Sequence, residues 1–294
     1  MGIVDGKVVI VTGAGRGIGR AEALAFARAG ASVVVNDYGV EKDGSGAPDA
    51  SIAAAVVAEI EAAGGRAVAS AHAVHKEDGA NAIVAAAVAA FGRLDVLVNN
   101  AGIVRDKPVL KTGVEDLAAV FDTHVAGTLL VTQAAVKQML VQKNAGSGEI
   151  ADNASGRIIN TVGVSGLLGN VGQAAGAAAN GAVYGLTRTL AIELQKHRIF
   201  VNALAPLAKT RQTEELPMFH GLDTLTPEHV AAAALFLGSA LAKERTGAAL
   251  AVSGAQLYSF KLAQSAGRFR DGNEVWAPED IATHWDAIVK IAGA

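Results

Sequence analysis

The sequence has no cysteine among its 294 residues, so no disulfide, thiolate nucleophile or cysteine metal site can be built from it. It also lacks an excess of either charge. Its 25 Lys and Arg stand against 28 Asp and Glu, a formal net charge of −3, and no block of like charge interrupts the chain. That balance argues against nucleic acid or an anionic membrane as the main partner. No signal peptide is apparent, nor an uninterrupted apolar run of bilayer length. The expectation is a soluble cytoplasmic protein. No internal repeat divides the chain, and its length suits one α/β domain with a sizeable core.

What the chain does have begins at residue 8. Val8, Val9, Ile10 and Val11 form a β-branched run of the kind buried on both faces of a sheet. The run enters a turn with glycines at 13, 17 and 19, and Arg20 to Arg28 then reads as a helix. Strand, glycine turn and helix make a cradle for a dinucleotide pyrophosphate. The glycines let backbone approach the phosphates, and the helix N-terminus offers free N–H groups and a positive dipole end. A second buried strand, Ser32 to Asn36, ends at Asp37. A carboxylate about twenty residues past the turn can accept both ribose hydroxyls of NAD and repels a 2′-phosphate.

Further pieces alternate in the same way. A Gly/Asp/Lys-rich loop at 39–49 is followed by a helix at 50–63, a strand near 67–71 and a helix ending at Phe91-Gly92. Strand Leu94 to Val98 leads into Asn99-Asn-Ala-Gly102. A long helix from about Val114 to Gln142 carries His124, and a polar insert at 143–156 reads as a surface loop. Then come strand 157–161, helix 173–196, strand 199–205, a polar segment with Thr210, Thr213 and His220, helix 227–239 and strand 248–252. Strands and helices alternating with right-handed crossovers predict a doubly wound, Rossmann-type parallel sheet of about seven strands. Residues 1–255 form the predicted domain; 256–294 are expected to be an extension packed on it, with a short helix from Pro278.

Three motifs, Thr12-Gly-Ala-Gly-Arg-Gly-Ile-Gly19, Asn99-Asn-Ala-Gly102 and Val201-Asn-Ala-Leu-Ala-Pro206, together resemble the short-chain dehydrogenase/reductase family over residues 5–255. V-V-V-N-D at 33–37, N-A-G-I-V-R-D at 100–106, G-N-V-G-Q at 169–173 and His124 resemble one branch. That branch is the (3R)-hydroxyacyl-CoA dehydrogenase domain of peroxisomal multifunctional enzymes and its bacterial relatives. The resemblance implies NAD as cofactor, with contacts at Gly13, Arg16, Gly17, Ile18, Gly19, Asp37, Ala73, Asn100, Ala101, Gly102, Pro206 and Thr210. Thr213 is a neighbouring alternative to Thr210 for the nicotinamide amide. His72 stands where the branch usually has an Asp near the adenine, and Leu207 where many relatives have Gly.

The family's chemistry, as the resemblance implies it, uses a Ser to hold the carbonyl oxygen and a Tyr thirteen residues later to move the proton. A Lys four residues further lowers the phenol's pKa. With the register fixed by Gly166 and G-N-V-G-Q, those positions fall on Gly163, Gly176 and Asn180. All three functional side chains are missing. Ser165 is two residues past the Ser position, and Tyr184 is about 12 Å along the helix from the Tyr position, which assigns it to packing. His124 has a pKa range suited to acid/base work, although a core histidine without catalytic duty is the simpler reading.

Three functions remain open. The chain is an oxidoreductase on a hydroxyacyl-CoA or similar hydroxy/keto substrate, with weak, absent or unconventional turnover; or a non-catalytic subunit paired with an active relative; or a lyase or isomerase using the emptied pocket. Small and apolar residues around the helices at 114–142 and 173–196 predict a homodimer, a homotetramer or such a hetero-oligomer.

Overall fold

The computed structural model describes residues 2–145, 156–214, 223–270, 272 and 274–291. It divides into two compact units, Met1–Phe260 and Lys261–Ala294. In the first, β1 (Val8–Thr12), α1 (Gly17–Arg28), β2 (Ser32–Asn36), α2 (Ser51–Ala62), β3 (Arg66–Ser70), α3 (Glu77–Phe91) and β4 (Val96–Asn99) follow in sequence. A continuous helical stretch comes next: α4 (Val114–Phe121), a π-helical segment Asp122–Ala126 and α5 (Gly127–Ala145). After it come β5 (Gly156–Thr161), a one-turn helix Ser165–Leu168, α6 (Ala174–Gln195), β6 (Ile199–Leu207), α7 (Pro227–Gly238), β7 (Ala249–Ser253) and β8 (Gln256–Phe260). The second unit holds α8 (Pro278–Val289), where Arg270 pairs with Asp280 at 2.9 Å.

The sheet runs β3-β2-β1-β4-β5-β6-β7-β8. Its first seven strands are parallel, and β8 pairs antiparallel with β7. The eighth strand adds to the seven expected, and it is built from residues that the sequence reading counted with the tail. The strand order reverses between β1 and β4, so the crevice beyond their C-terminal ends is where such a sheet binds ligands.

Alternation along each strand explains the core. Val9, Val11, Val33 and Val98 face one side, with Phe26 of α1, Ile60 of α2 and Leu237 of α7. Val8, Ile10, Val34 and Leu97 face the other, with Ile83 of α3, Ala135 of α5 and Leu194 of α6. Side chains two apart share a face, so an unbroken β-branched run fills both cores. The stretch Val114–Asn144 is long and apolar enough by composition to cross a bilayer; here Val131, Ala134, Ala135 and Met139 lie in the second core.

Helix α1 begins at Gly17 rather than Arg20, so the last two motif glycines sit in its first turn. The expected long helix is interrupted at residues 122–126 by the wider π turn that contains His124. Most of the polar insert expected at 143–156, and His220, lie outside the described residues.

Candidate active site

Two adjoining clefts open at the C-terminal edge of the sheet. The first, of about 300 Å³, is lined by the glycine turn, Asp37, Tyr38, His72, Ala73, Asn100 and Thr210. The second, of about 430 Å³, is lined by His124, Gly163, Ser165, Gly176, Asn180, Pro206 and Tyr258. Ile18, Asn100, Ala101, Gly102 and Thr210 belong to both.

The glycine turn is held open by close approach. Gly13 has φ +63, and a Cβ there would lie 2.8 Å from the Ala101 Cα. A Cβ on Gly19 would collide with the Gly13 carbonyl. Thr12 and Asn100 tie the turn to β4. The Thr12 hydroxyl accepts the Asn100 and Ala101 N–H groups at 3.0 and 3.1 Å, and Asn100 Nδ2 donates to the Thr12 carbonyl at 2.9 Å. No side chain caps the N-terminus of α1, so its first-turn N–H groups remain available to an anion.

Asp37 sits at the end of β2, and its carboxylate accepts the Gly15 and Gly39 N–H groups, both at 2.8 Å. Two guanidinium groups converge nearby. Arg16 Nη1 donates to the Val40 carbonyl at 3.2 Å, and Arg211 Nη2 donates to the same oxygen at 3.4 Å. Arg211 comes from the segment after β6 and was not anticipated, because nothing in its local sequence marks an approach to residue 40. His72 lines this cleft, its Nδ1 3.2 Å from the Ser70 hydroxyl, and its carbonyl accepts Asn36 Nδ2 at 3.0 Å.

These features fit a dinucleotide. An uncapped helix N-terminus adjoins a turn with no room for a Cβ at Gly13 or Gly19, and a carboxylate stands at the end of β2 beside that turn. Gly13, Gly17, Ile18 and Gly19 would hold the pyrophosphate, Asp37 the adenosine ribose, and Asn100, Ala101, Gly102 and Thr210 the nicotinamide side. The Thr213 hydroxyl is committed elsewhere, accepting the Thr210 N–H at 2.9 Å and donating to the Ala208 carbonyl at 2.7 Å.

The second cleft brings Gly163, Gly176 and Asn180 onto one wall. The Gly163 N–H donates to Asn180 Oδ1 at 2.6 Å, and Asn180 Nδ2 donates to the Gly176 carbonyl at 2.8 Å. The amide is therefore spent on backbone. Tyr184 is buried among Val162, Val183 and Ala203, and Arg188 Nη1 donates to its hydroxyl at 3.3 Å; it is a packing residue.

His124 Nε2 lies 3.1 Å from the Ile103 N–H and 3.0 Å from the Ile103 carbonyl, so either tautomer finds a partner on the same residue. Burial lowers its pKa, and the hydrogen bond to the Ile103 backbone only partly offsets this. The neutral imidazole thus braces the segment after Gly102.

A buried polar chain missed by sequence reasoning supports this edge. Asn99 Nδ2 donates to Thr132 Oγ1 at 3.0 Å and Asn160 Oδ1 at 2.9 Å, and Asn160 Nδ2 donates to Thr187 Oγ1 at 2.9 Å. The four residues join β4 and β5 to α5 and α6. No local pattern in the sequence announces a chain spread over four elements.

The family model described as short chain dehydrogenase matches residues 7–217. The chain belongs to the short-chain dehydrogenase family. Membership implies a nicotinamide dinucleotide, NAD or NADP, in the first cleft. The chain is 38% identical over 291 residues to peroxisomal multifunctional enzyme type 2 of Mus musculus, covering 99% of this chain and 37% of that protein. It is 36% identical over 285 residues to hydroxyacyl-CoA dehydrogenase ChsB1 of Mycobacterium tuberculosis, covering 95% and 87%. A crystal structure of a short chain dehydrogenase from Mycobacterium avium superimposes with TM-score 0.83 at 41% identity, covering all of both chains. The chain spans about a third of the length of two of the peroxisomal relatives it matches, 30% of the Neurospora crassa protein and 37% of the mouse one.

Proposed function

We propose that this chain binds NAD(H) and takes a hydroxyacyl thioester, or a similar hydroxy/keto compound, in a site that has lost its proton-transfer groups. The observation that carries this reading is the shared wall of Gly163, Gly176 and Asn180 beside an intact dinucleotide cradle. The cofactor, when bound, supplies or accepts the hydride. The oxygen of the reacting carbon must then be neutralised by a proton and held by preset donors. Gly163 and Gly176 offer no side-chain donor, and their backbone groups facing Asn180 are already bonded to it. Ser165 stands on the same wall, and its hydroxyl holds an oxygen without providing an acid of suitable pKa. Binding without family-rate turnover is the result.

Asp37 supports NAD over NADP, because a 2′-phosphate would meet a carboxylate already fixed by two N–H donors. A subunit of an assembly with an active relative is the second reading. It is favoured by the exposed apolar residues Val114 and Leu117 of α4, Val141 of α5 and Ile192 of α6. The test is the change Gly163→Ser, Gly176→Tyr, Asn180→Lys, assayed with NAD(H) and 3-hydroxyacyl- or 3-oxoacyl-CoA. Turnover confined to the restored variant supports the reading; equal turnover in the parent overturns it.

A further inference from the structure

The chain has three tyrosines, and they have different fates. Tyr38 lines the dinucleotide cleft, and Tyr184 is buried against Arg188. Tyr258 lines the second cleft together with Gly163 and Gly176, from a strand outside the 7–217 stretch that the family model matches. It stands on β8, paired with Ala251 of β7. Its ring meets Phe260 edge-on, with centroids 5.4 Å apart and planes at 66°. Phe260 in turn packs against the Val162, Val183 and Tyr184 cluster. The ring is thus supported from the core side, while 37% of the residue remains exposed. Its hydroxyl makes no hydrogen bond among the described residues.

Three of the cleft's other polar side chains are already engaged, whereas Thr161 Oγ1 and the Ser165 hydroxyl, beside Gly163 in sequence, are not among the described residues. Gln173 Nε2 donates to Asp106 at 2.6 Å, Gln212 Nε2 to the Gly102 carbonyl at 3.0 Å, and Thr213 to the Ala208 carbonyl at 2.7 Å. A 3-oxygenated acyl thioester carries two oxygens, one on the reacting carbon and one on the thioester carbonyl two carbons away. With the first turned toward the Gly163 and Gly176 wall, the second needs a donor from another wall. A phenol is neutral at physiological pH and donates one O–H.

We infer that Tyr258 is a substrate-contacting residue that donates its phenol O–H to the thioester carbonyl and so selects 3-oxygenated acyl thioesters over simple ketones. This rests on the substrate class proposed above. The test is calorimetric titration of the NAD(H) complexes of parent, Tyr258→Phe and Tyr258→Ala with two probes. One is acetoacetyl-CoA; the other is its thioether analogue, which keeps the ketone and CoA but lacks the thioester carbonyl. Tyr258→Phe is expected to weaken acetoacetyl-CoA about 3- to 10-fold, the value of one neutral hydrogen bond, and to leave the analogue unchanged. Tyr258→Ala weakens both, and NADH affinity stays at the parental value throughout. Equal binding of acetoacetyl-CoA to the parent and Tyr258→Phe overturns the assignment of Tyr258 alone. A parent that binds NADH but neither CoA compound overturns the substrate class together with it.

Discussion

Asn180 Oδ1 accepts the Gly163 backbone N–H at 2.6 Å across the cleft wall. The two glycines of this wall differ in how easily each accepts a side chain. A Cβ on Gly163 would lie 3.1 Å from Asn180 Nδ2, whereas one on Gly176 would meet nothing nearer than Asp106 Oδ1 at 3.9 Å.

Gly163→Ser alone should displace the Asn180 amide and lose on the order of 1 kcal/mol of stability. Gly176→Tyr should change stability little, because Gly176 is in the first turn of α6, where glycine's helix-interior penalty is not fully felt, and a Cβ there meets nothing closer than 3.9 Å. Thermal unfolding of the two single variants checks the order. The triple restoration should raise hydride transfer by at least about 10³-fold, since proton transfer and the oxyanion donor act as one unit. A single-turnover assay following NADH absorbance measures it.

Cofactor preference gives a second prediction. The parent should bind NADH at least about tenfold tighter than NADPH, because like charges brought together without solvent cost several kcal/mol. Asp37→Asn removes the charge while keeping an acceptor for a backbone N–H. With Arg16 and Arg211 both directed to Val40 beside it, the Asp37→Asn variant should gain NADPH affinity. Adding Arg211→Ala should then remove most of that gain. Competitive titration of the two cofactors decides, and NADPH binding as tight as NADH in the parent would sink the assignment to Asp37.

The sheet was legible because runs such as Val8–Val11 and Ser32–Asn36 can be satisfied only by burial on both faces. The glycine turn and Asn99–Gly102 were legible because their chemistry is local. Strand β8 was not, since Gln256, Leu257 and Tyr258 remain exposed on an edge strand and show no buried pattern. The π turn at His124 was missed because it is one extra residue within a sequence that reads as helix throughout. The sequence showed that a lysine is absent at 180; only coordinates show the asparagine there bonded to the backbone of both glycines. Tyr258 was invisible because it reaches its cleft from a strand remote in sequence from the motifs that line it, and Arg211, although it adjoins Thr210, because only the fold brings its guanidinium to Val40.

Assembly follows from surfaces that the sheet does not need. Val114 is 81% exposed and Ile192 is 79% exposed, on helices whose other faces fill a core. Apolar area of this kind on neighbouring helices argues for a subunit contact. The protein should scatter light as a dimer or larger at micromolar concentration. Val114→Glu combined with Ile192→Glu should shift it toward monomer with the far-ultraviolet circular dichroism unchanged. A monomeric parent would remove the argument.

The last prediction concerns Glu22, which lies on α1 wholly out of solvent with neither carboxylate oxygen bonded among the described residues. Burial pushes its pKa from 4.5 up to about 8. In the folded protein the group stays protonated up to that pH, whereas in the unfolded chain it ionises near 4.5. Between those values the native state binds the extra proton, so folding releases none and unfolding does. Stability is therefore full below about pH 4.5 as far as this group is concerned and falls as pH rises toward 8, at no more than about 1.4 kcal/mol per pH unit. Above that range both states are ionised and the decline stops. Glu22→Gln keeps the shape and cannot ionise, so its unfolding midpoint should be flatter across the same window. The variant should be more stable than the parent at pH 8.5 and similar to it at pH 5. Chemical denaturation at those two pH values measures the difference, and parallel pH profiles for the two proteins would show that Glu22 is already ionised or solvated in the native state.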